Sequence, residues 1–355
     1  MATAVTTYQC PNCGATLQFD PEKQCFACEF CMSEFSEADL LASGAADAAQ
    51  KEEEEGRAYS DSLQEYVCDN CGAEIVADAN TAAAFCLYCH APILLHGKVS
   101  GQMKPHKLIP FKISRDGAED RFLAFAKKKW FIPRGLFRKG YMDKMEGVYY
   151  PFWVTDADTD CHFEAEATRV HRYTRGNVEV TETSYYEIHR RGDIHFEDLT
   201  TSAISTEDKK MLEGILPFPS EALTDFSMPY LTGFYAKKRD IDREQLYGEV
   251  KERMNKYAAT ILRGTVSGYN TVQPRACGVK VKNSHWEYSL MPVWVFAYPV
   301  KDKMYQYAMN GHTGKIWGKL PVSAGKLAIL GGIVFAVAGF LGGLISALVM
   351  AGGGI

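Results

Sequence analysis

Cations are scarce at the start of this 355-residue chain. Residues 1–95 hold three of them, Lys23, Lys51 and Arg57, against 16 aspartates and glutamates, a net of −13. The whole chain carries −5, which leaves +8 for the rest. Nucleic-acid affinity comes mostly from cation–phosphate contacts, so the acidic segment is expected to bind protein rather than nucleic acid. A secretory leader is not expected either: residues 1–7 have neither a basic n-region nor an apolar h-region. Catalytic motifs are equally sparse. Gly314-Lys315 is followed by Ile316, and Met309 stands where a P-loop needs its first glycine. No His-Glu-x-x-His or Gly-x-Ser-x-Gly occurs. Asp156-Ala157-Asp158-Thr159-Asp160 opens like a calcium loop, but Cys161 takes the glycine position and Ala167 the closing glutamate position. It reads as an acidic loop without metal. His162, Glu164 and Glu166 read as a solvated strand face. No nucleophile is paired with a base, so the expectation is a non-enzyme.

What is present begins with cysteine. Of 11 cysteines, eight form four Cys-x-x-Cys pairs within the first 89 residues. Residues 8–35 recur at 66–93 with an offset of 58: Cys10, Cys13, Cys28 and Cys31 match Cys68, Cys71, Cys86 and Cys89. Asn12-x-Gly14-Ala15 likewise matches Asn70-x-Gly72-Ala73. Four thiolates suit a tetrahedral structural zinc site, and two copies predict two Zn2+ ions. Cys25 also forms a Cys-x-x-Cys with Cys28, but it aligns with Ala83, which is no ligand, so it is read as spare. Cys161 and Cys277 are isolated and read as buried thiols. Dithiol redox chemistry needs one such motif in a βαβ setting, which four motifs in paired hairpins do not match. Structural thiolates imply a reducing compartment.

The predicted organisation is α+β: a zinc ribbon at 1–35, an acidic helical or mobile linker at 36–65, a second ribbon at 66–97, a β-rich body at 98–321, and a transmembrane helix at 326–350. One helix is predicted at 118–130, capped by Asp116 with Glu119, its face being Phe122, Phe125, Ala126 and Trp130. Another runs from Arg243 to about Leu262, capped by Asp242 with Gln245 and faced by Leu246, Val250, Met254, Tyr257 and Ile261. Strands are expected at 149–155, 162–170, 178–189, 279–288, 293–298 and 304–309. Pro151-Phe152-Trp153-Val154 resembles Pro292-Val293-Trp294-Val295, each after a helix. This suggests two related strand–helix–strand units, within 107–200 and 228–320.

Residues 327–350 contain no charge and one polar side chain, Ser346. Such a run spans about 36 Å, enough for a bilayer core. Lys315, Lys319 and Lys326 precede it and no cation follows. The positive-inside rule then puts the preceding bulk in the cytoplasm, at the inner membrane. Gly332, Ala336, Gly339, Gly343 and Ala347 form a small-residue face suited to close helix packing, with a second copy or another membrane protein. Lys127-Lys128-Lys129 with Arg134, Arg138 and Lys139, and Lys237-Lys238-Arg239, form basic patches suited to an anionic leaflet.

Three stretches carry a family resemblance: Tyr66-Val67-Cys68-Asp69-Asn70-Cys71-Gly72, Tyr150-Pro151-Phe152-Trp153, and the run from Asn310 through Gly314-Lys315-Ile316-Trp317 to Pro321. In this order the chain resembles the YdjG-like family, bacterial membrane proteins with TFIIB-type zinc ribbons. Members are often encoded beside SPFH (flotillin-like), TPM-domain and phage-shock protein A partners. The resemblance implies a scaffold that recruits an SPFH-type protein in envelope-stress response, with the eight cysteines as zinc ligands and no catalytic residue. The alternative expectation is a membrane-tethered nucleic-acid binder that uses the basic body.

Overall fold

In a computed structural model the described residues are 3–6, 8–42, 64–68, 74–77, 81–85, 92–95, 104–129, 131, 145–205, 209–300, 303–318 and 323–352. The first cysteine module has β1 (Thr3–Thr6), β2 (Gln18–Asp20), β3 (Cys25–Ala27), β4 (Glu34–Phe35) and α1 (Glu37–Ala42). The second has β5 (Gln64–Cys68), β6 (Glu74–Ala77), β7 (Thr81–Phe85) and β8 (Pro92–Leu95). The body opens with β9 (Lys107–Leu108), α2 (Arg115–Lys127), β10 (Glu146–Arg175), β11 (Val178–Ser202), α3 (Lys209–Gly214) and β12 (Thr224–Asp225). It continues with β13 (Tyr235–Lys237), α4 (Arg243–Gly264), β14 (Thr271–Val300), β15 (Lys303–Asn310) and β16 (Ile316–Gly318), and α5 (Ala324–Gly352) follows.

The expected strands 149–155 and 162–170 are one continuous strand, β10, of 30 residues. The acidic stretch between them is therefore strand, not loop. Its pattern alternates with period two: Ala157 and Thr159 are buried, while Asp156, Asp158 and Asp160 lie on the other face. These carboxylates are taken up across the strand pair. Asp160 receives Arg191 Nε at 3.0 Å, Asp158 lies 2.7 Å from His195 Nδ1, and Asp156 accepts from the Asp198 amide at 2.8 Å. The strands expected at 279–288 and 293–298 likewise fuse into β14, also 30 residues long. Gly176 turns β10 into β11 at φ 67°, a left-handed conformation that glycine adopts without strain.

Strand β10 lies between β11 and β14, antiparallel to both. Near the start of β10, Tyr150 pairs with Met291, which puts Pro151 opposite Leu290 and Pro292 opposite Tyr149. The short strands cross over. Lys107 and Leu108 of β9 pair in parallel with Ser289 and Leu290, while Tyr235 and Ala236 of β13 pair in parallel with Val148 and Tyr149. Two units thus interlock, each giving its short strand to the other's long one.

Helix α2 begins earlier than its acidic residues suggested. Ser114, extended at φ −66° and ψ 167°, is the N-cap, its hydroxyl accepting from the Gly117 amide. Trp130 lies outside the described residues. Helix α4 starts at the expected capping box of Asp242 and Gln245. Its buried stripe runs every four residues, through Leu246, Val250, Met254, Ala258 and Leu262. Tyr257 and Ile261, expected inside, are 46% and 49% exposed. Each fully buried large apolar side chain of this stripe contributes roughly 1.5–3 kcal/mol.

The second expected basic patch is not a solvated one. Lys238 and Arg239 are buried, and the Arg239 guanidinium lies 5.1 Å from the Trp153 ring and 5.5 Å from Tyr288. It also pairs with Asp242. Trp317 packs into the body core, so tightly over Gly214 that a Cβ there would lie 1.9 Å from the indole. The turn after β15 is held by Asn310. Its side chain accepts from the His312 and Thr313 amides and donates to the Ile215 and Pro217 carbonyls.

Candidate metal centre

The chain makes the same turn twice around the first four cysteines. After Cys10, the Gly14 amide returns to the Cys10 carbonyl at 2.8 Å, and the Cys10 amide donates to Ala15 at 2.6 Å. After Cys28, the Met32 amide returns to the Cys28 carbonyl at 2.9 Å, and the Cys28 amide donates to Ser33 at 2.9 Å. Both turns need a left-handed residue, Gly14 at φ 75° and Met32 at φ 58°. Glycine meets that need at the first turn; methionine bears the strain of its Cβ at the second.

The two turns face one another across the β2–β3 hairpin and bring four thiols together. The sulfurs of Cys10, Cys13, Cys28 and Cys31 all lie within 4.8 Å of one another. Cys10 to Cys31 and Cys13 to Cys28 are both 3.5 Å. A tetrahedral ion bonded to each sulfur at about 2.3 Å would set them about 3.8 Å apart. The donor set therefore fits one tetrahedral thiolate-bound metal ion. The Ser33 hydroxyl and backbone hold the Cys31 thiol below the usual thiol range, while burial and the neighbouring thiols hold Cys13 above it. Cys25 lies on β3, outside the cluster.

The first module is seated on the body. Phe19 and Phe26 pack on Tyr230 with ring centroids at 5.1 and 5.5 Å. The Phe19 amide donates to the Thr232 carbonyl, Gln24 Nε2 to the Phe111 carbonyl at 2.6 Å, and Ser114 to Glu22 at 2.5 Å. The linker's first turn is α1, where Leu40 is buried and Glu37 accepts from the Tyr230 hydroxyl at 3.1 Å. Burial, with Glu37 beside it, pushes Tyr230 up to about 12. Beside the seat opens a cleft of about 340 Å³ bordered by Gln24, Lys112, Tyr230 and His312. Burial and then Lys112 hold His312 below the usual imidazole range.

The outer knuckle points away from this seat. Phe30 is 81% and Met32 80% exposed on it. Sequence reading passed over both. Their only signal was a pair of apolar residues within a short acidic ligand loop, bounded by Glu29 and Glu34.

In the second module Cys68 ends β5, while Cys71, Cys86 and Cys89 lie outside the described residues. Its backbone register repeats the first. The Gln9–Thr16 bridge recurs as Val67–Glu74, and Phe26–Phe35 recurs as Ala84–Ile93, both at the offset of 58. Strand β1 pairs with β5 and β8, and β7 pairs with β13, which joins this module to the main sheet.

Helix α5 is 29 residues, about 43 Å, with a 19-residue stretch of mean hydropathy 1.9 that is long and apolar enough to cross a membrane. Gly332, Gly339 and Gly343 have nothing packed on them, and Ala336 is exposed. The Ala347 side chain lies outside the described set.

No family model matches the chain, and no solved structure does. The uncharacterized protein YdjG of Bacillus subtilis (strain 168) is 33% identical over 324 residues, which covers 91% of this chain and 92% of the relative.

Proposed function

This chain belongs to the YdjG family, and from that premise we propose that it is a non-enzymatic membrane scaffold whose cysteine modules recruit a protein partner. The single observation that carries this reading is the outer knuckle. Two large apolar side chains, Phe30 and Met32, stand in solvent on a module fixed to the body. Exposed apolar side chains on a rigid, acidic surface suit protein association. The family resemblance implies an SPFH (flotillin-like) or phage-shock type partner, in envelope-stress response.

In this reading both modules are TFIIB-type zinc ribbons, each holding one structural Zn2+. The thiolate donor set supports zinc at the first. The repeated backbone register supports a second ion on Cys68, Cys71, Cys86 and Cys89. Helix α5 anchors the chain in the cytoplasmic membrane. Lys315, Lys319 and Lys326 keep the preceding residues on the cytoplasmic side, and the small-residue face serves helix association.

The test is affinity capture of the full-length protein from detergent-solubilised membranes. A stoichiometric SPFH-type partner lost in Phe30→Ser/Met32→Ser, with metal content and membrane insertion kept, supports the scaffold. Undiminished capture by that variant overturns it. Nucleic acid bound in place of protein, with a steep salt dependence, would favour a tethered nucleic-acid binder instead.

A further inference from the structure

Two backbone groups far apart in sequence meet at the root of α5. The Ser323 amide donates to the Phe131 carbonyl at 2.8 Å. Ser323 is also the cap of α5: its carbonyl accepts from Leu327 at 3.0 Å and its hydroxyl from the Lys326 amide at 3.4 Å. The segment that ends α2 is therefore tied to the first turn of the apolar helix. Lys127, Lys128 and Lys129 sit on that segment, all exposed. Lys129 is two residues from Phe131, a reach of no more than about 7 Å. Its ammonium stands 5.3 Å over the Phe125 ring.

We infer that Lys127, Lys128 and Lys129 form a docking surface for the anionic headgroups of the bilayer that α5 enters. The inference rests on the reading of α5 as a membrane span, and goes beyond it by giving the body a second, electrostatic hold on the lipid. The sequence alone showed three adjacent lysines and could not say where they face. The Phe131–Ser323 bond puts them beside the point where the chain enters the bilayer. Charges that close to the entry point would feel the headgroups with little screening, since the Debye length is about 8 Å at physiological salt. Three adjacent ammonium groups there have an obvious counter-charge, since an anionic leaflet attracts each by enough to shift an equilibrium about fivefold.

The experiment uses the full-length protein in vesicles of equal phosphatidylcholine and phosphatidylglycerol. Alkaline carbonate washing comes first. Gentle solubilisation follows, and the lipids retained per protein are counted by native mass spectrometry. Wild type should retain phosphatidylglycerol preferentially. Lys127→Gln/Lys128→Gln/Lys129→Gln should lose about fivefold in that preference per lysine removed, while the three Lys→Arg changes together keep it. An unchanged preference in the glutamine variant, with the protein still resistant to carbonate, overturns this inference alone. Release of wild type by carbonate overturns the span reading, and this one with it.

Discussion

The Trp153 indole donates to the carbonyl of Ile241 at 3.0 Å, and Trp294 donates to the carbonyl of Ile113 at the same distance. Ile241 and Ile113 each stand just before the cap residue of a helix, Asp242 and Ser114. Each long strand thus clasps the helix entry of the other unit. Trp153→Phe and Trp294→Phe should each cost about 1–3 kcal/mol, the price of a partly or fully buried carbonyl left unpaired. Urea unfolding of the detergent-solubilised protein measures both. Costs differing by more than this range would mean the two clasps are not equivalent.

Met32 carries a left-handed backbone at φ 58° with its side chain in solvent. Relief of that strain, about 1–2 kcal/mol, outweighs the added chain entropy of glycine, about 0.5–1 kcal/mol. Met32→Gly should therefore stabilise the first module by roughly 0.5–1 kcal/mol at unchanged metal content. Thermal unfolding of wild type beside the variant reads the sign, and a lowered midpoint would contradict the strain argument.

Metal counting separates ligands from bystanders. The full chain should hold two zinc ions, falling to one in Cys13→Ser/Cys31→Ser and to one in Cys68→Ser/Cys71→Ser. Cys25→Ser should keep both, since Cys25 stands outside the first cluster. Atomic emission on the purified protein gives the number. A loss of metal in Cys25→Ser would move that residue into the ligand set.

The His195–Asp158 contact should respond to pH. The hydrogen bond to Asp158, with the charges of Asp158 and Glu197, raises His195 above its ordinary value of 6.5. A raised folded value means the contact stabilises in acid and is lost as pH rises through that value. Proton NMR titration of His195 should show the raised midpoint falling back in Asp158→Asn. An unmoved midpoint would assign the shift elsewhere. Both groups are solvent-exposed, so the effect on overall stability should be small.

Much of the site was legible because its signals are local or periodic. The offset of 58 separated Cys25 from the ligands, and the metal-ligand spacing marked the four thiols that the structure brings together. The capping box at Asp242 read correctly because Gln245 lies three residues on. The same kind of reasoning placed the α2 cap at Asp116, because Glu119 lies three residues on, whereas the Ser114 hydroxyl caps the helix with Gly117 at that position. The acidic stretch 156–160 was misjudged by composition, although its alternation with Ala157 and Thr159 already had the period of a strand.

What the sequence determined by itself is therefore the four-thiol cluster of the first module, the repeat of the cysteine modules, the start of α4 and the apolar helix α5. Each depends on spacing along a few residues. Only tertiary structure decided that the first module is seated on Tyr230, that Arg239 lies against Trp153 while Lys127 stays in solvent, and that Phe131 meets Ser323. These are contacts between segments tens to hundreds of residues apart. They depend on which surfaces the folded sheet leaves open, and local pattern carries no record of that.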